Sequence, residues 1–465
     1  MQLYNTLTRT VALLTPLNQD AVRIYSCGPT VYDHAHIGNL SSYIYADTLR
    51  RTIMAAGLNV MHTMNITDVD DKTIRRSLEA DHHGSPMNAL INFTSRYTEL
   101  FFADMDAVGN DINAYSFVKA TDHIGHMQVI IRNLLDKSIA YIAGDGVYFS
   151  IRAYRDSGKT YGQLLKLSGA STAGVRIDND EYDKASAHDF ALWKKRRPDE
   201  PYWDFEIDGQ DMGGRPGWHI ECSAMSAATL GLPFDIHTGG SDLIFPHHEN
   251  EIAQSTAGVS NDIMATFFVH NEHLLVDGRK MSKSLQNFYT LEDVRAKSID
   301  PLAFRLLVLQ SHYRSQSNFT WENLQAAQNI LQDIRAWSDM RFQSLNNPGL
   351  GALYNNAYTN IMAALQQDMN TPEALAGLIA MVKAAGEQGA DSAVIAGTLP
   401  KIEALFGLGL LDREDIDDSQ KQALAARDLA RKQNNWELSD EIRGKLLTTG
   451  LHIRDTEQGQ IWSRS

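Results

Sequence analysis

Hydrophobic positions change their spacing along the chain, and the changes mark out its parts. Val22-Arg23-Ile24-Tyr25 reads as a short strand. From Tyr43 to Ala56 the spacing is helical, with Ile44, Leu49, Ile53 and Met54 on the apolar side, and it stops at Gly57. Val60 to Ile66 is the next strand. Strand, helix and strand in succession predict a parallel sheet. Ligands of such sheets gather at the carboxyl ends of the strands. Polar clusters fall there: Cys27-Gly28-Pro29-Thr30 leading to His36-Ile37-Gly38-Asn39, and Thr67-Asp68-Val69-Asp70-Asp71-Lys72. Residues 85–140 read as mostly helical. Tyr141-Ile142-Ala143, a Gly144-Asp145-Gly146 turn and Val147-Tyr148-Phe149 predict a β-hairpin, within a stretch that reads as an insertion. The parallel pattern resumes at Phe234-Asp235-Ile236-His237, which runs into Thr238-Gly239-Gly240-Ser241-Asp242. Beyond Phe319 helices dominate, at Ala326 to Ser338, Ala357 to Gln367 and Pro372 to Glu387, with a turn at Asn346-Asn347-Pro348-Gly349. From about Gln420 the chain reads as helix, then a short tail containing Gly and Trp.

A chain of 465 residues exceeds one ordinary core, so two or three domains are expected. Hydrophobic content of 43% and charged content of 21% place it among soluble globular chains. It has no apolar run long enough to span a bilayer, and Met1-Gln2-Leu3-Tyr4-Asn5-Thr6 does not start a secretory signal. A cytoplasmic location and no membrane partner are therefore expected. The formal net charge of -15 argues against broad, non-specific nucleic-acid binding and leaves room for a local basic face. The two cysteines, Cys27 and Cys222, are better metal ligands than a disulfide in a reducing compartment, at about four to one.

Three sets of side chains carry chemistry. Cys27 and Cys222, with a histidine and Glu251 from Pro246-His247-His248-Glu249-Asn250-Glu251, make a tetrahedral zinc set. His247 and His248, four and three residues before Glu251, both share its helical face, so spacing leaves the histidine open. Pro246 suits the first turn of that helix. Isolated cysteines are more often ordinary core, and four protein ligands normally close a zinc site, although zinc can expand to five. In the second set, His36-Ile37-Gly38-Asn39 at a strand-to-helix turn lets backbone approach a phosphate near a helix N-terminus. Such a string is common by chance. In the third, Lys280-Met281-Ser282-Lys283-Ser284 puts two lysines in a small-residue loop that can stabilise charge on a leaving pyrophosphate. Lysines in loops are usually only solvated, but the order and interleaving of the three sets reverse those odds.

Longer strings carry a resemblance. Cys27 to Asn39, Asn65 to Lys72, Asp189 to Lys194, Gly214 to Ser223, Gly240 to Gln254 and the lysine loop are together similar to the class I aminoacyl-tRNA synthetases, and within them to the cysteinyl-tRNA synthetase family. The resemblance implies a Rossmann-like α/β catalytic domain over 1–315 with an insertion at about 95–200. It implies a helical bundle over 316–410 and a small anticodon-binding domain over 411–465. It implies zinc on Cys27, Cys222, His247 and Glu251, and ATP with Mg2+ at His36, Gly38, Asn39, Gly240, Asp242 and Lys283. Lys280 would support Lys283, with His36, Asn39 and both lysines catalytic. Gly28, Thr67, Trp218 and His237 would lie near the cysteine substrate. The implied activity joins L-cysteine to tRNA(Cys) through a cysteinyl-adenylate, by a monomer, with cysteine chosen through its thiolate.

Arg431-Lys432-Gln433-Asn434-Asn435-Trp436 in the tail can stack unpaired bases, and acids can read their edges. An amphipathic helix with a tryptophan in its own small core is an even alternative. The resemblance favours anticodon contact by Arg431, Trp436, Asp440 and Asp455. Ser26, Ser41-Ser42, Thr238 and Gln286 depart from the family pattern. A ligase that joins activated cysteine to an amino sugar is the second reading, and it should lack the tail.

Overall fold

A computed structural model describes residues 1–81, 84–165, 189–259, 263–281, 287–347, 349–456 and 459–464. It separates into two compact units, Met1–Asp293 with Tyr313–Asn318, and Val294–His312 with Phe319–Ser465. Among the described residues no helix is long and apolar enough to cross a membrane.

The first unit is built on five parallel strands, β1 (Val22–Ser26), β2 (Val60–Ile66), β3 (Tyr115–Lys119), β4 (Phe234–Gly240) and β5 (Ala265–Asn271). They lie in the order β5-β4-β1-β2-β3. The order reverses between β1 and β4, so the loops leaving these two strands turn apart and open a crevice at their carboxyl ends. Successive residues Ile24 and Tyr25, and Ile236 and His237, are fully buried, as a sheet covered on both faces requires. Sequence reading names neither β5 nor β3, and β3 is the sharper miss. It lies inside the stretch read as helical, yet pairs with β2 from His62↔Tyr115 to Ile66↔Lys119. Its aromatic and β-branched run is only five residues long, and helices flank it on both sides.

Helix α1 (Ile37–Ala55) starts well before the Tyr43 expected from periodicity. Its first turns hold Gly38, Asn39, Ser41 and Ser42, residues of low helix propensity that hide the start. The predicted hairpin forms with Ala143↔Gly146 closing the turn, and it belongs to an antiparallel sheet with Phe190–Lys195 and Gly214–Pro216. Helix α2 (Asp71–Ala80) carries a capping box between Asp70 and Thr73. Helix α3 (Trp218–Leu230) precedes β4, and helix α4 (Glu249–Gly258) follows it.

His62 is a buried consequence of this packing. It is 3% exposed, its Nε2 lies 2.6 Å from Ser26 Oγ, and burial with the Arg50 charge pushes its pKa down to about 3. A histidine held neutral in the fold takes up its proton first when unfolded. Stability is therefore complete above about pH 6.5 and falls as pH drops from there toward 3. His62→Gln should remove one proton from that linkage, about 1.4 kcal/mol per pH unit, from the slope of urea stability against pH. An unchanged slope would show that His62 does not contribute.

The second unit contains helices Pro301–Leu309, Trp321–Asp339, Leu350–Gln366, Thr371–Gln388 and Ser392–Phe406. Three of these begin ahead of the predicted Ala326, Ala357 and Pro372, the middle one already at Leu350; at the other two starts Thr320 and Asn370 side chains accept from Asn323 and Glu373 backbone N–H groups. Its chain end holds α5 (Asp418–Lys432), α6 (Trp436–Thr448) and a hairpin of β6 (Leu451–Thr456) with β7 (Gly459–Arg464). The predicted turn at 346–349 includes Pro348, which lies outside the described residues.

Candidate functional site

Both sequence clusters of the first unit converge on the crevice at the ends of β1 and β4. Cys27 follows β1, Cys222 lies in α3, and His247 and Glu251 lie one turn apart after β4. Phe245 keeps an extended backbone (φ -142°, ψ 133°) that breaks the helical turn Ser241–Leu243 from the helical segment carrying His247 and Glu251, as expected of a residue before proline. The four donor atoms of Cys27, Cys222, His247 and Glu251 lie within 4.8 Å of one another, and all four residues are buried. The two sulfur atoms are 4.0 Å apart, and His247 Nε2 is 3.1 Å from Glu251 Oε1.

A second set overlaps the first. Cys27, His237, His248 and Glu251 also bring donors within 4.8 Å. His248 Nε2 is 3.3 Å from Cys27 Sγ, and His237 Nε2 is 2.9 Å from Glu251 Oε2. Both histidines left open by spacing therefore reach the cluster. Their other ring nitrogens are engaged: His247 Nδ1 meets His219 Nδ1 at 2.8 Å, and His248 Nδ1 meets His270 Nε2 at 2.8 Å. His237 stands behind Glu251, fully buried and stacked on His248 at 4.0 Å, rather than open to the crevice. Trp218 is 42% exposed, and its indole stacks on His247 at 4.2 Å.

Electrostatics fit this set to a cation. Burial pushes the Cys27 thiol up, and burial also pushes up the Glu251 carboxyl. For Cys222 the hydrogen bond with Cys27 opposes burial and the Glu251 charge, and the net direction is again up. Burial keeps His247 and His248 neutral, the form in which imidazole binds metals. Two thiols and a carboxyl crowded in a dry site do not ionise together unless a positive charge joins them. The pair of sulfurs with one imidazole and one carboxylate suits zinc.

The nucleotide motifs meet on the same side of the sheet. His36 caps α1, its Nδ1 accepting from Asn39 N–H at 3.1 Å. Ile37 N–H donates to Tyr289 O at 2.9 Å, and the His36 ring lies edge-on to Phe288 at 4.9 Å. A Cβ on Gly38 would press on the tip of the Met281 side chain and on the His36 ring, so a larger residue there would push the start of the lysine loop outward. Lys280 is exposed on the strand Arg279–Lys280. Lys283 and Gln286 lie outside the described residues. Gly240 ends β4, with Asp242 exposed just beyond it. The departing Ser41 donates to Gly38 O at 2.8 Å within the histidine loop, and Ser42 Oγ accepts from Asn271 Nδ2 at 2.9 Å.

Gly28 and Thr67 lie beside the cysteine cluster. A Cβ on Gly28 would collide with the Asn65 carbonyl. Thr67 is 1% exposed and donates to Glu221 Oε2 at 3.0 Å. Sequence reading passed over Glu221, Asn65, His219 and His270. Glu221 and His219 had proximity to Cys222 as their signal and Asn65 its place in β2, while His270, in β5, had none; nothing in a linear string tells a buried polar residue from an exposed one.

In the second unit the tail candidates separate. Trp436 is 55% exposed at the start of α6, with the Arg431 guanidinium 5.4 Å from its ring centre, and Asp440 is exposed. Asp455 is instead engaged within the fold, accepting from both Arg427 Nη groups at 2.8 Å and pairing with Arg431 at 2.9 Å. Trp462 belongs to a small core with Ile416, Leu424, Leu446, Leu451 and Ile453. Trp436 thus lies outside the tail's small core and Trp462, on β7, lies within it.

Residues 13–329 match the family described as tRNA synthetases class I (C) catalytic domain. A curated relative from Koribacter versatilis (strain Ellin345), named Cysteine--tRNA ligase, is 38% identical over 508 residues, covering 100% of this chain and 99% of its own length. A protein of the same name from Brachyspira hyodysenteriae (strain ATCC 49526 / WA1) is 40% identical over 487 residues, covering 99% and 98%. Among solved structures, Mycobacterium tuberculosis methionyl-tRNA synthetase in complex with methionyl-adenylate aligns with a TM-score of 0.61 at 13% identity, over 84% of this chain and 93% of that one. That likeness speaks for the fold alone.

Proposed function

The chain belongs to the cysteinyl-tRNA synthetase family of class I aminoacyl-tRNA synthetases, and we propose that it joins L-cysteine to tRNA(Cys) using ATP, selecting cysteine by its thiol at a zinc ion. The observation that carries the reading is the cluster of Cys27, Cys222, His247 and Glu251, four buried donors from distant segments within 4.8 Å at the reversal of strand order. His247 is preferred to His248 because its set contains both sulfurs, while His248 and His237 are placed to steady Cys27 and Glu251. Bound there, zinc would supply a site that accepts a thiolate and not a protonated alcohol, which is how cysteine would be told from serine. Thr67, Gly28 and Trp218 line the substrate's approach.

ATP, with Mg2+, lies along His36, Gly38 and Asn39, with Gly240 and Asp242 beside its adenosine. The cysteine carboxylate attacks the α-phosphorus, forming the cysteinyl-adenylate and releasing pyrophosphate as the α–β phosphoanhydride bond breaks. Lys283, supported by Lys280, stabilises the charge on the departing oxygens. A terminal ribose hydroxyl of tRNA then takes the cysteinyl group and AMP leaves. Arg431, Trp436 and Asp440 meet the anticodon; Asp455 holds Arg431 in place for it. The folded tail favours this reading over an amino-sugar ligase, as do relatives that match over nearly the whole chain.

Aminoacylation of purified tRNA with a panel of amino acids, with zinc measured on the same sample, tests the proposal. Cysteine alone should be transferred, serine at least roughly 10³-fold less efficiently, with one zinc per chain. A metal-free preparation of full activity, or transfer of cysteine to an amino sugar and not to tRNA, would overturn it.

A further inference from the structure

Cys27 and Cys222 stand 195 residues apart in the chain, and something must hold their sulfurs at 4.0 Å. A line of hydrogen bonds, buried beyond its first link, joins the residue after one to the residue before the other. Gly28 N–H donates to Asn65 Oδ1 at 2.8 Å. Asn65 Nδ2–H donates to Thr67 Oγ1 at 3.0 Å. Thr67 O–H donates to Glu221 Oε2 at 3.0 Å. Asn65, Thr67 and Glu221 are 2%, 1% and 0% exposed. Two backbone bonds run alongside, Thr67 N–H to Pro29 O at 2.9 Å and Val31 N–H to Thr67 O at 3.1 Å.

Each link has one direction. The threonine hydroxyl has a single proton, which goes to Glu221, and it accepts from the Asn65 amide. The other oxygen of Glu221, Oε1, is buried with no hydrogen-bond partner, so Thr67 is what holds this carboxyl. A fully buried carboxyl with half its acceptors idle is a poor element of core packing. Its position beside Cys222 gives it another use.

We propose that Asn65, Thr67 and Glu221 form a positioning relay that sets the separation of the Cys27 and Cys222 sulfurs, and through it the affinity of this pair for a thiophilic divalent cation. The inference rests on the metal reading above and extends it to residues that touch neither sulfur. Thr67 then acts through the metal ligands as well as lining the path of the substrate.

The test uses full-length protein carrying Thr67→Val, Thr67→Ser, Glu221→Ala or Glu221→Gln. Zinc dissociation constants come from competition with a chelator, and the sulfur-to-metal charge-transfer band is read after loading with Co2+. Thr67→Val and Glu221→Ala should each weaken zinc binding roughly 10- to 100-fold, the range for residues that orient metal ligands, and should shift the Co2+ band. Thr67→Ser and Glu221→Gln keep the donor and the acceptor, and should stay near wild type. The relay is broken from opposite ends, so one folded variant of the disruptive pair suffices. A folded Thr67→Val with wild-type zinc affinity and only a raised KM for cysteine would overturn the relay and leave the metal site standing. Wild-type protein that binds neither Zn2+ nor Co2+ would overturn the metal reading, and the relay with it.

Discussion

Cys222→Ser is expected to leave a folded protein without zinc, and to cut cysteine-dependent pyrophosphate exchange at least 10³-fold, about 4 kcal/mol of transition-state stabilisation. The substitution changes one atom in a residue that is 1% exposed, so packing is nearly conserved. Its chemistry is not. Burial already raises the Cys27 thiol and the Glu251 carboxyl, and these groups give up their protons only to a cation that repays all of them together. With one sulfur gone, a serine hydroxyl keeps its proton at neutral pH, and the remaining donors suit zinc less well. Zinc content by elemental analysis, exchange rate and urea midpoint should be measured on the same sample. Full zinc occupancy with wild-type exchange would remove Cys222 from the site.

Arg427→Ala should separate the two halves of the reaction. Charging of tRNA should fall at least 10²-fold, with pyrophosphate exchange held within about twofold, because the change lies in the second compact unit. Arg427 is 1% exposed, and its guanidinium forks onto both oxygens of Asp455 while also reaching Gln460 Oε1 at 2.9 Å. Removing one partner of a buried pair costs about 3–5 kcal/mol, and the partly open Asp455 places this one toward the lower figure. That is large against a tail core of six buried apolar residues. The hairpin should loosen, and Arg431 should lose the carboxylate that places it beside Trp436. Arg427→Lys retains the charge without the fork and should lie between the two. The Arg427 hydrogen bond holds the Asp455 carboxyl below the usual carboxylate range, with Arg431 adding to it. The pair's contribution is thus complete above that range and is lost as pH falls through the lower, folded value. Equal losses of charging and exchange in Arg427→Ala would make the tail merely structural.

Much of this was legible from residues alone because local structure follows local pattern. β1 and β2, the hairpin around Gly144-Asp145, and three long helices of the second unit declare themselves through period, turn residues and caps, whereas Pro301–Leu309 and Ser392–Phe406 are not read from sequence. The same holds for the candidate donors, since few residue types bind a soft cation, and this chain has only two cysteines. Harder cases have causes of their own. β3 is too short for its own period to outvote neighbouring helices. The early start of α1 is hidden by the low helix propensity of Gly38, Asn39, Ser41 and Ser42.

The order of residues determined which groups were available: two thiols, a histidine pair, a carboxylate, a capping histidine loop and a basic, aromatic tail. Tertiary structure alone decided what each one faces. It gave both His247 and His248 a place at the cluster, set His237 behind Glu251, tied Asp455 to Arg427, and ran a line of hydrogen bonds from Gly28 to Glu221. The reason is physical. Helix and strand follow from neighbours a few residues apart, whereas burial, ion pairing and metal-ready spacing depend on segments that meet only once the chain has folded.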